Sequence, residues 1–197
     1  MSNISYLTPT QPRQIRIDTT TACNAKCLSC HRHLKPVRKG EMSWDFLLSI
    51  IKDVSKWSQP LTEIVPVNYG EFFLYPYWDK LLRLIDKKLP NTRVVIPTNG
   101  SKLDSYTAHT LVSFGCIHII NFSVNSYLKD TYEQFTGLPF STIKLIEDAS
   151  LFIRKHRPDI TQWFSMVYDP DYQSEMEKEL FIQHWTKFGV PQIIPAS

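Results

Sequence analysis

Three of the four cysteines in the chain, Cys23, Cys27 and Cys30, lie within eight residues at the spacing C-x3-C-x2-C. Thiolates are soft ligands, and they favour zinc and iron–sulfur clusters over hard cations. Three thiolates on one loop reach three corners of an iron–sulfur cube, whereas a closed tetrahedral zinc site needs a fourth ligand. The spacing therefore predicts a metal site. One metal position stays open for a small molecule if the chain supplies no fourth ligand.

The segment after the cysteines, residues 31–40, is basic and offers a rival interpretation of the same motif. His31 or His33 as a fourth ligand would make a Cys3His zinc site in a module that binds protein or nucleic acid. Zinc modules are usually small and independent, whereas these cysteines lie within a long alternation of strands and helices. Otherwise the segment is a solvated loop, or it closes over the site and meets an acidic substrate or a reductant protein.

The composition is that of an ordinary folded protein, with 43% hydrophobic and 21% charged residues in a chain of 197. This length predicts one domain, residues 1–197, with an irregular lead-in at 1–12. A net charge of +3 is too small to indicate nucleic-acid binding, and no apolar stretch is long enough to span a membrane. No signal peptide is visible, and clustered cysteines without a disulfide framework predict a cytoplasmic protein.

Strands and helices alternate along the chain, as the periodicity of its hydrophobic residues shows. Strands are predicted at residues 14–18, 63–68, 93–97, 117–123, 161–167 and 190–194, with five helices between them. The helices are expected at residues 44–54, 77–89, 104–114 and 141–155, and after Ser174. This alternation requires parallel strands joined by right-handed crossovers. Six units do not close an eight-stranded barrel, so we predict an α/β fold, a partial (β/α)6 TIM-like barrel with a curved parallel sheet.

Short polar or glycine-containing segments follow the first four predicted strands. The cysteines come after the first strand, Gly70 and Glu71 after the second, and Asn99 after the third. Ser123 and Asn125 stand at the end of the fourth. Because α/β folds place their chemistry beyond the carboxyl ends of their strands, the cysteines are expected to lie in the site of this protein. The predicted site is the mouth of the barrel, with the metal at its floor.

This order of motifs resembles that of the radical S-adenosylmethionine (radical SAM) enzymes over nearly the whole chain. In that family three cysteines at this spacing hold a 4Fe–4S cluster, and the open iron binds the amino and carboxylate groups of SAM. The resemblance implies that the cluster ligands of this protein are Cys23, Cys27 and Cys30. The fold of that family is also a partial barrel.

The resemblance also implies which residues bind SAM. Gly70 and Glu71 fall where the family carries its glycine–glutamate motif, at whose backbone the amino group of SAM binds. Asn99 falls in a Thr-Asn-Gly segment like that of the family. Ser123 and Asn125 fall where polar side chains contact the ribose and the carboxylate of SAM.

Three positions differ from the usual pattern of the family. Ser29 stands where an aromatic residue usually precedes the third cysteine. Tyr69 replaces a glycine and Phe72 replaces a proline in the glycine–glutamate motif. These differences keep open a further class of function, namely a protein that binds SAM or a partner on this fold without catalysis.

The activity implied by the resemblance begins with a one-electron reductant protein of the flavodoxin or ferredoxin type. The cluster passes the electron to SAM, which splits into methionine and a 5′-deoxyadenosyl radical, and the radical takes a hydrogen atom from the substrate. Residues 40–43 and 132–137 are similar to segments of radical SAM peptide and protein maturases, which suggests a peptide substrate. Substrates from nucleotide or cofactor pathways are the alternatives to a peptide. Those maturases usually add a cysteine-rich domain, so we expect a truncated core or a minimal enzyme.

Overall fold

The computed structural model describes residues 11–34 and 37–196, apart from the side chains of residues 33 and 34. Its centre is a six-stranded sheet in which each strand pairs in parallel with the next strand of the chain. The strands are β1 (Gln14–Arg16), β2 (Glu63–Val65), β3 (Arg93–Thr98), β4 (Ile117–Ser123), β5 (Thr161–Tyr168) and β6 (Val190–Pro195). Within the described ranges β1 and β6 do not pair with each other, so the curved sheet is unclosed. The predicted partial barrel is confirmed.

Seven α-helices lie in the described part of the chain, where five were predicted. They are α1 (His31–Leu34), α2 (Trp44–Val54), α3 (Trp78–Lys88), α4 (Ser105–Leu111), α5 (Lys129–Thr136), α6 (Ser141–His156) and α7 (Glu175–Trp185). The unpredicted helices are α1, within the segment taken as a loop, and α5. Helices of four and eight residues are too short to be stable alone, so they depend on tertiary contacts that no local pattern reveals. A short 3-10 helix at Phe72–Leu74 was also missed.

The first two strands end earlier than predicted. β1 stops at Arg16 and β2 stops at Val65, although residues up to 18 and 68 were assigned to them. Pro66 has no amide hydrogen, so it cannot donate to the ladder of hydrogen bonds, although its carbonyl still accepts from Thr19. The chain beyond both strands is therefore free to form the loops that build the site.

Three helices begin at side-chain caps, and the sequence predicts two of them, at Ser43 and Ser174. Ser43 Oγ accepts a hydrogen bond from the backbone N–H of Phe46, and Asp104 does the same for Thr107. Ser174 Oγ accepts from the N–H of Glu177. Each cap satisfies a backbone donor that the first turn of a helix leaves without a partner.

The two faces of the sheet differ in chemistry. On the face that packs against the helices, the rings of Phe122, Phe164 and Trp185 are stacked, with centroid distances of 4.9 and 4.5 Å. On the opposite, concave face Ser165 Oγ donates to Asn121 Oδ1 at 2.5 Å and lies 3.5 Å from Gln192 Oε1. The interior of the partial barrel is therefore polar near its mouth, and the main core lies between the sheet and the helices.

The structure contains no helix, in the parts of the chain that it describes, that is both long enough and apolar enough to cross a membrane.

Candidate active site

The cysteine loop, residues 22–39, is held at its base by a short antiparallel contact. The Thr21 N–H donates to Gly40 O at 3.0 Å, and the Met42 N–H donates to Thr19 O at 2.8 Å. Thr20 and Glu41 form an isolated antiparallel bridge between these two pairs. The two ends of the loop are thus held together just after the carboxyl end of β1.

Helix α5 supports the middle of the loop. The N–H groups of Lys26 and Leu28 donate to Thr136 O at 2.8 Å and to Phe135 O at 2.9 Å. These carbonyls belong to the last turn of α5, whose C-terminal groups have no partner within the helix. Gly137 ends the helix with φ of +67°, and a Cβ atom there would lie 3.1 Å from the Cβ of Lys26. The sequence gave no site role to this segment, because the contact joins residues more than a hundred positions apart.

The thiols of Cys23, Cys27 and Cys30 line one cavity of about 340 Å³ and are all half-buried. Burial raises the pKa of Cys27 to about 12, with a further contribution from the two neighbouring thiols. Burial also raises the pKa of Cys23, opposed by a backbone hydrogen bond from Ala25. Metal binding displaces such thiol protons, so the affinity of this site for metal rises with pH.

These residues fit a 4Fe–4S cluster by donor chemistry and by placement. The three soft donors open onto one cavity at the carboxyl edge of the sheet. In the described ranges, no three His, Cys, Asp or Glu side chains converge as a single metal ion requires. A tetrahedral zinc ion needs four donors at about 2.0–2.3 Å from one point, whereas a cluster takes its three thiolates at three separate corners. Three thiols on one cavity match the number of protein ligands that such a cluster with one open iron takes.

Of the two histidines in the rival zinc site, the structure describes the side chain of His31. His31 begins α1 and lines another cavity, together with Cys30 and Asp169. His33, the other candidate ligand, has its side chain outside the described part of the structure. The sequence alternative of a Cys3His module thus has no convergent ligand set among the described side chains.

Gly70 and Glu71 join the loop after β2 to the cysteine loop. A Cβ atom on Gly70 would lie 2.2 Å from the carbonyl oxygen of Thr20, so only glycine fits there. The N–H of Glu71 donates to Ala22 O at 2.8 Å. The close approach that this glycine permits is therefore to the backbone that leads into the cysteines.

The carboxylate of Glu71 is buried and ties the loop after β2 to the end of β3. Its Oε1 accepts from Thr98 Oγ1 at 2.7 Å and from the Phe73 N–H at 3.3 Å, and its Oε2 accepts from the Asn99 N–H at 2.7 Å. Burial raises the pKa of this carboxyl group, and the three hydrogen bonds oppose the rise. Both oxygens already have partners within the protein.

Asn99 connects the end of β3 to the cysteine loop. Its Nδ2 donates to Asn24 Oδ1 at 3.0 Å and lies 3.8 Å from Cys23 Sγ. Its Oδ1 accepts from the N–H and the hydroxyl of Ser101 at 3.0 and 2.6 Å. Asn24 Nδ2 in turn donates to Ser101 Oγ at 2.8 Å. The sequence did not single out Asn24 or Ser101, since Asn24 occupies a variable position of the cysteine motif and Ser101 follows the Thr-Asn-Gly segment.

Ser123 and Asn125 lie at the same edge of the sheet. Ser123 is half-buried and pairs in register with Ser165 of β5. Asn125 is buried with φ of +67°, and its Oδ1 accepts from the Val167 N–H at 3.0 Å. The residues predicted to bind a ligand thus lie at one edge of the sheet. Their side chains differ in how firmly the protein holds them. The carboxamide of Asn125 is held by β5, and Ser123 is more accessible.

Three cations surround the cavity of the cysteines. Lys26, Arg32 and Lys39 line it, and Arg32 and Lys39 also line a neighbouring cavity of about 460 Å³ that contains Cys23. None of the three forms an ion pair with a described residue. The positive charge of this rim is therefore available to an anionic ligand or partner.

The fold and the site together define a class, an open α/β barrel with three thiols around one cavity at the carboxyl ends of its strands. The family model described as the Radical SAM superfamily matches residues 17–182. The chain therefore belongs to the radical SAM superfamily, as its motifs suggested. Comparison with curated protein sequences found no significant match.

Solved structures with the same fold include two proteins that have also been solved with bound peptides. SuiB from Streptococcus suis, bound to S-adenosylmethionine, has a TM-score of 0.74 and 17% identity, over 95% of this chain and 41% of SuiB. The protein anSMEcpe with bound AdoMet has a TM-score of 0.76 and 20% identity, over 94% of this chain and 52% of its own. SuiB bound to its precursor peptide SuiA has a TM-score of 0.70 and 17% identity, over 95% of this chain and 40% of SuiB. At these identities the likeness shows the fold alone, and the chain spans about half, or less, of each protein.

Proposed function

We propose that the protein is a radical SAM enzyme that cleaves SAM reductively at a 4Fe–4S cluster and abstracts a hydrogen atom from a substrate. The observation that carries this proposal is the position of three half-buried thiols around one cavity at the carboxyl edge of a radical SAM fold. When bound, the cluster supplies the electron that splits SAM into methionine and the 5′-deoxyadenosyl radical. One hydrophobic core packs against the whole sheet, which supports a single catalytic core domain.

In this proposal the thiolates of Cys23, Cys27 and Cys30 hold the cluster. Ser123 is the residue best placed for direct contact with SAM, because it is half-buried at the mouth. Glu71 and Asn99 would serve SAM through the backbone that they fix, since their polar side-chain atoms already have partners in the protein. Gly70 would serve it through its own backbone, and Asn125 through the loop that its Oδ1 ties to Val167. The fixed backbone keeps the mouth in one shape, and a rigid mouth helps to keep water away from a reactive intermediate.

Anaerobic reconstitution with iron and sulfide tests the proposal. We expect a 4Fe–4S electron paramagnetic resonance signal that changes when SAM is added, and 5′-deoxyadenosine after reduction with dithionite. Changing Cys23, Cys27 or Cys30 singly to alanine should abolish the product, whereas Cys116→Ala should retain it, because Cys116 is buried between Leu82 and Asp86. Activity that survives all three changes would sink the proposal.

The same experiment separates the other functions. A colourless protein that holds one zinc ion would identify the Cys3His interaction module. A cluster that responds to SAM but yields no 5′-deoxyadenosine, with or without candidate substrates, would identify a SAM-binding protein without catalysis. Either result would contradict the proposed enzymatic activity.

A peptide or protein is the substrate that we propose for this site. SuiB and anSMEcpe have both been solved with bound peptides. The concave face offers hydrogen-bonding side chains, among them Asn121, Ser165 and Gln192, which suit the repeating polar groups of a peptide backbone. Transfer of deuterium from a perdeuterated peptide to 5′-deoxyadenosine is the expected result. Transfer from a nucleotide but from none of the peptides tested would contradict it.

We further propose that an acidic one-electron carrier of the flavodoxin or ferredoxin type reduces the cluster. Two exposed residues of the cysteine loop support this, because Lys26 is exposed and Leu28 is 42% exposed. Small apolar areas with charged rims are suited to brief encounters between proteins. The four described cysteines form no disulfide, which agrees with the reducing conditions of the cytosol, where we place the protein.

A further inference from the structure

Asn99 has a fixed orientation relative to the cysteine loop. Its Oδ1 accepts from the backbone N–H of Ser101, which is always a donor, so this atom must be the oxygen of the amide. Nδ2 is therefore the atom that points at the loop, 3.0 Å from Asn24 Oδ1 and 3.8 Å from Cys23 Sγ. An amide N–H donor is thus aimed at one of the three sulfur atoms.

The backbone of Asn99 is fixed as firmly as its side chain. Its N–H donates at 2.7 Å to the buried carboxylate of Glu71, which also binds Thr98. The side chain of Asn99 is itself buried, with 7% of its surface exposed. A donor held in this way does not reorganise when the charge on the sulfur changes, and hydrogen bonds are strong in such surroundings.

Hydrogen bonds to the sulfur ligands of an iron–sulfur cluster are one of the means by which proteins set its reduction potential. Reduction adds one negative charge, part of which is carried by the thiolates. A donor to a thiolate stabilises the reduced state more than the oxidised state, so it raises the potential. The amide of one Asn side chain reaches one sulfur ligand, so it affects the cluster at one corner only.

We propose that Asn99 is a positioning residue that donates an N–H···S hydrogen bond to Cys23 and thereby raises the reduction potential of the cluster. The inference rests on the proposed function, because it requires a cluster on the three cysteines. It assigns to Asn99 a role towards the cluster and not a direct contact with SAM. Asn24 and Ser101 orient the amide but do not themselves donate to the sulfur.

Redox titration of the reconstituted full chain without SAM, followed by electron paramagnetic resonance, tests the proposal. In Asn99→Ala the ratio of reduced to oxidised cluster at a fixed potential should fall about tenfold, which corresponds to 59 mV for a one-electron couple. Asn24→Ala and Ser101→Ala keep the donor and should titrate like the unchanged protein. Asn91→Ala, at an exposed position before β3, is the matched control.

A second measurement covers the case in which Asn99→Ala does not retain the cluster. The second measurement is pulsed electron paramagnetic resonance of the Asn24→Ala protein, labelled with 15N only in its asparagine side chains. The reduced cluster should show a weak coupling to the side-chain nitrogen of Asn99. Absence of this coupling would overturn the inference. An unchanged potential in Asn99→Ala, or an equal fall in Ser101→Ala, would also overturn it, because the residue would then be only structural. Failure of the unchanged protein to form any cluster would instead contradict the proposed function.

Discussion

At the scale of single residues, the site depends on side chains that form hydrogen bonds between different segments of the chain. The cysteines are the obvious ligands, but Glu71 and Asn99 determine where Cys23 lies. The carboxylate of Glu71 accepts three hydrogen bonds from two different segments. A buried group of this kind acts through geometry, and its loss leaves several donors without partners.

We predict that Glu71→Ala lowers the free energy of unfolding by at least about 2 kcal/mol. The buried N–H groups of Phe73 and Asn99 would lose their acceptor, and each unsatisfied buried donor costs about 1–3 kcal/mol. Urea denaturation of the apoprotein measures the change. Glu179→Ala, on the exposed surface of α7, is the control and should change stability by less than about 0.5 kcal/mol. Equal stability of the two variants would show that the carboxylate is not part of the support.

At the scale of secondary structure, α5 determines the position of the cysteine loop. The last turn of α5 accepts two backbone hydrogen bonds from the loop. The helix is only eight residues long, so its own stability depends on Gly137 and on the residues buried beneath it. The loop and the helix therefore stabilise each other.

We expect Gly137→Ala to weaken this contact. Alanine at φ of +67° is strained by about 1–2 kcal/mol, and its Cβ would press on Lys26. The prediction is a lower melting temperature and less iron retained per chain after reconstitution and gel filtration. Gly40→Ala is the matched control, because no atom lies within 4 Å of a Cβ at that position. If Gly137→Ala retains as much iron as Gly40→Ala, the helix is not needed to hold the loop.

At the scale of the whole molecule, the cysteines lie at the mouth of an open barrel and the cations lie around them. The concave face leads inwards from this mouth, and Lys26 and Leu28 are exposed on the cysteine loop at its rim. Charge at this rim affects encounter with a protein partner, and salt screens this effect over about 10 Å at 0.1 M.

We predict that Lys26→Glu slows reduction by an acidic flavodoxin about tenfold at low salt, since it replaces attraction by repulsion. The rate of 5′-deoxyadenosine formation with flavodoxin measures the effect, and 0.5 M salt should reduce the difference between the proteins. With dithionite, a small reductant, the variant should match the unchanged protein. Lys155→Glu, on α6, is the control for a change of net charge. Equal slowing in both variants would contradict docking at the cysteine loop.

The sequence by itself determined the features that rest on local spacing. The triad of cysteines and the alternation of strands and helices predicted the family and the open barrel, because a periodic pattern of hydrophobic residues allows few topologies. Caps such as Ser43 and Ser174 were also correct, since a cap depends on residues three positions apart. The residues predicted to line the mouth do meet at one edge, and their roles towards SAM stay predictions.

Only the tertiary structure decided how these residues are held. The support from α5, the bonds between Asn24, Ser101 and Asn99, and the burial of Glu71 join segments that are far apart in the chain. A hydrogen bond between distant segments leaves no periodic signal in a sequence, because each partner alone is an ordinary polar residue. The spacing of the cysteines thus specified the chemistry of the site, and the ends of β2, β3 and α5 specified its geometry.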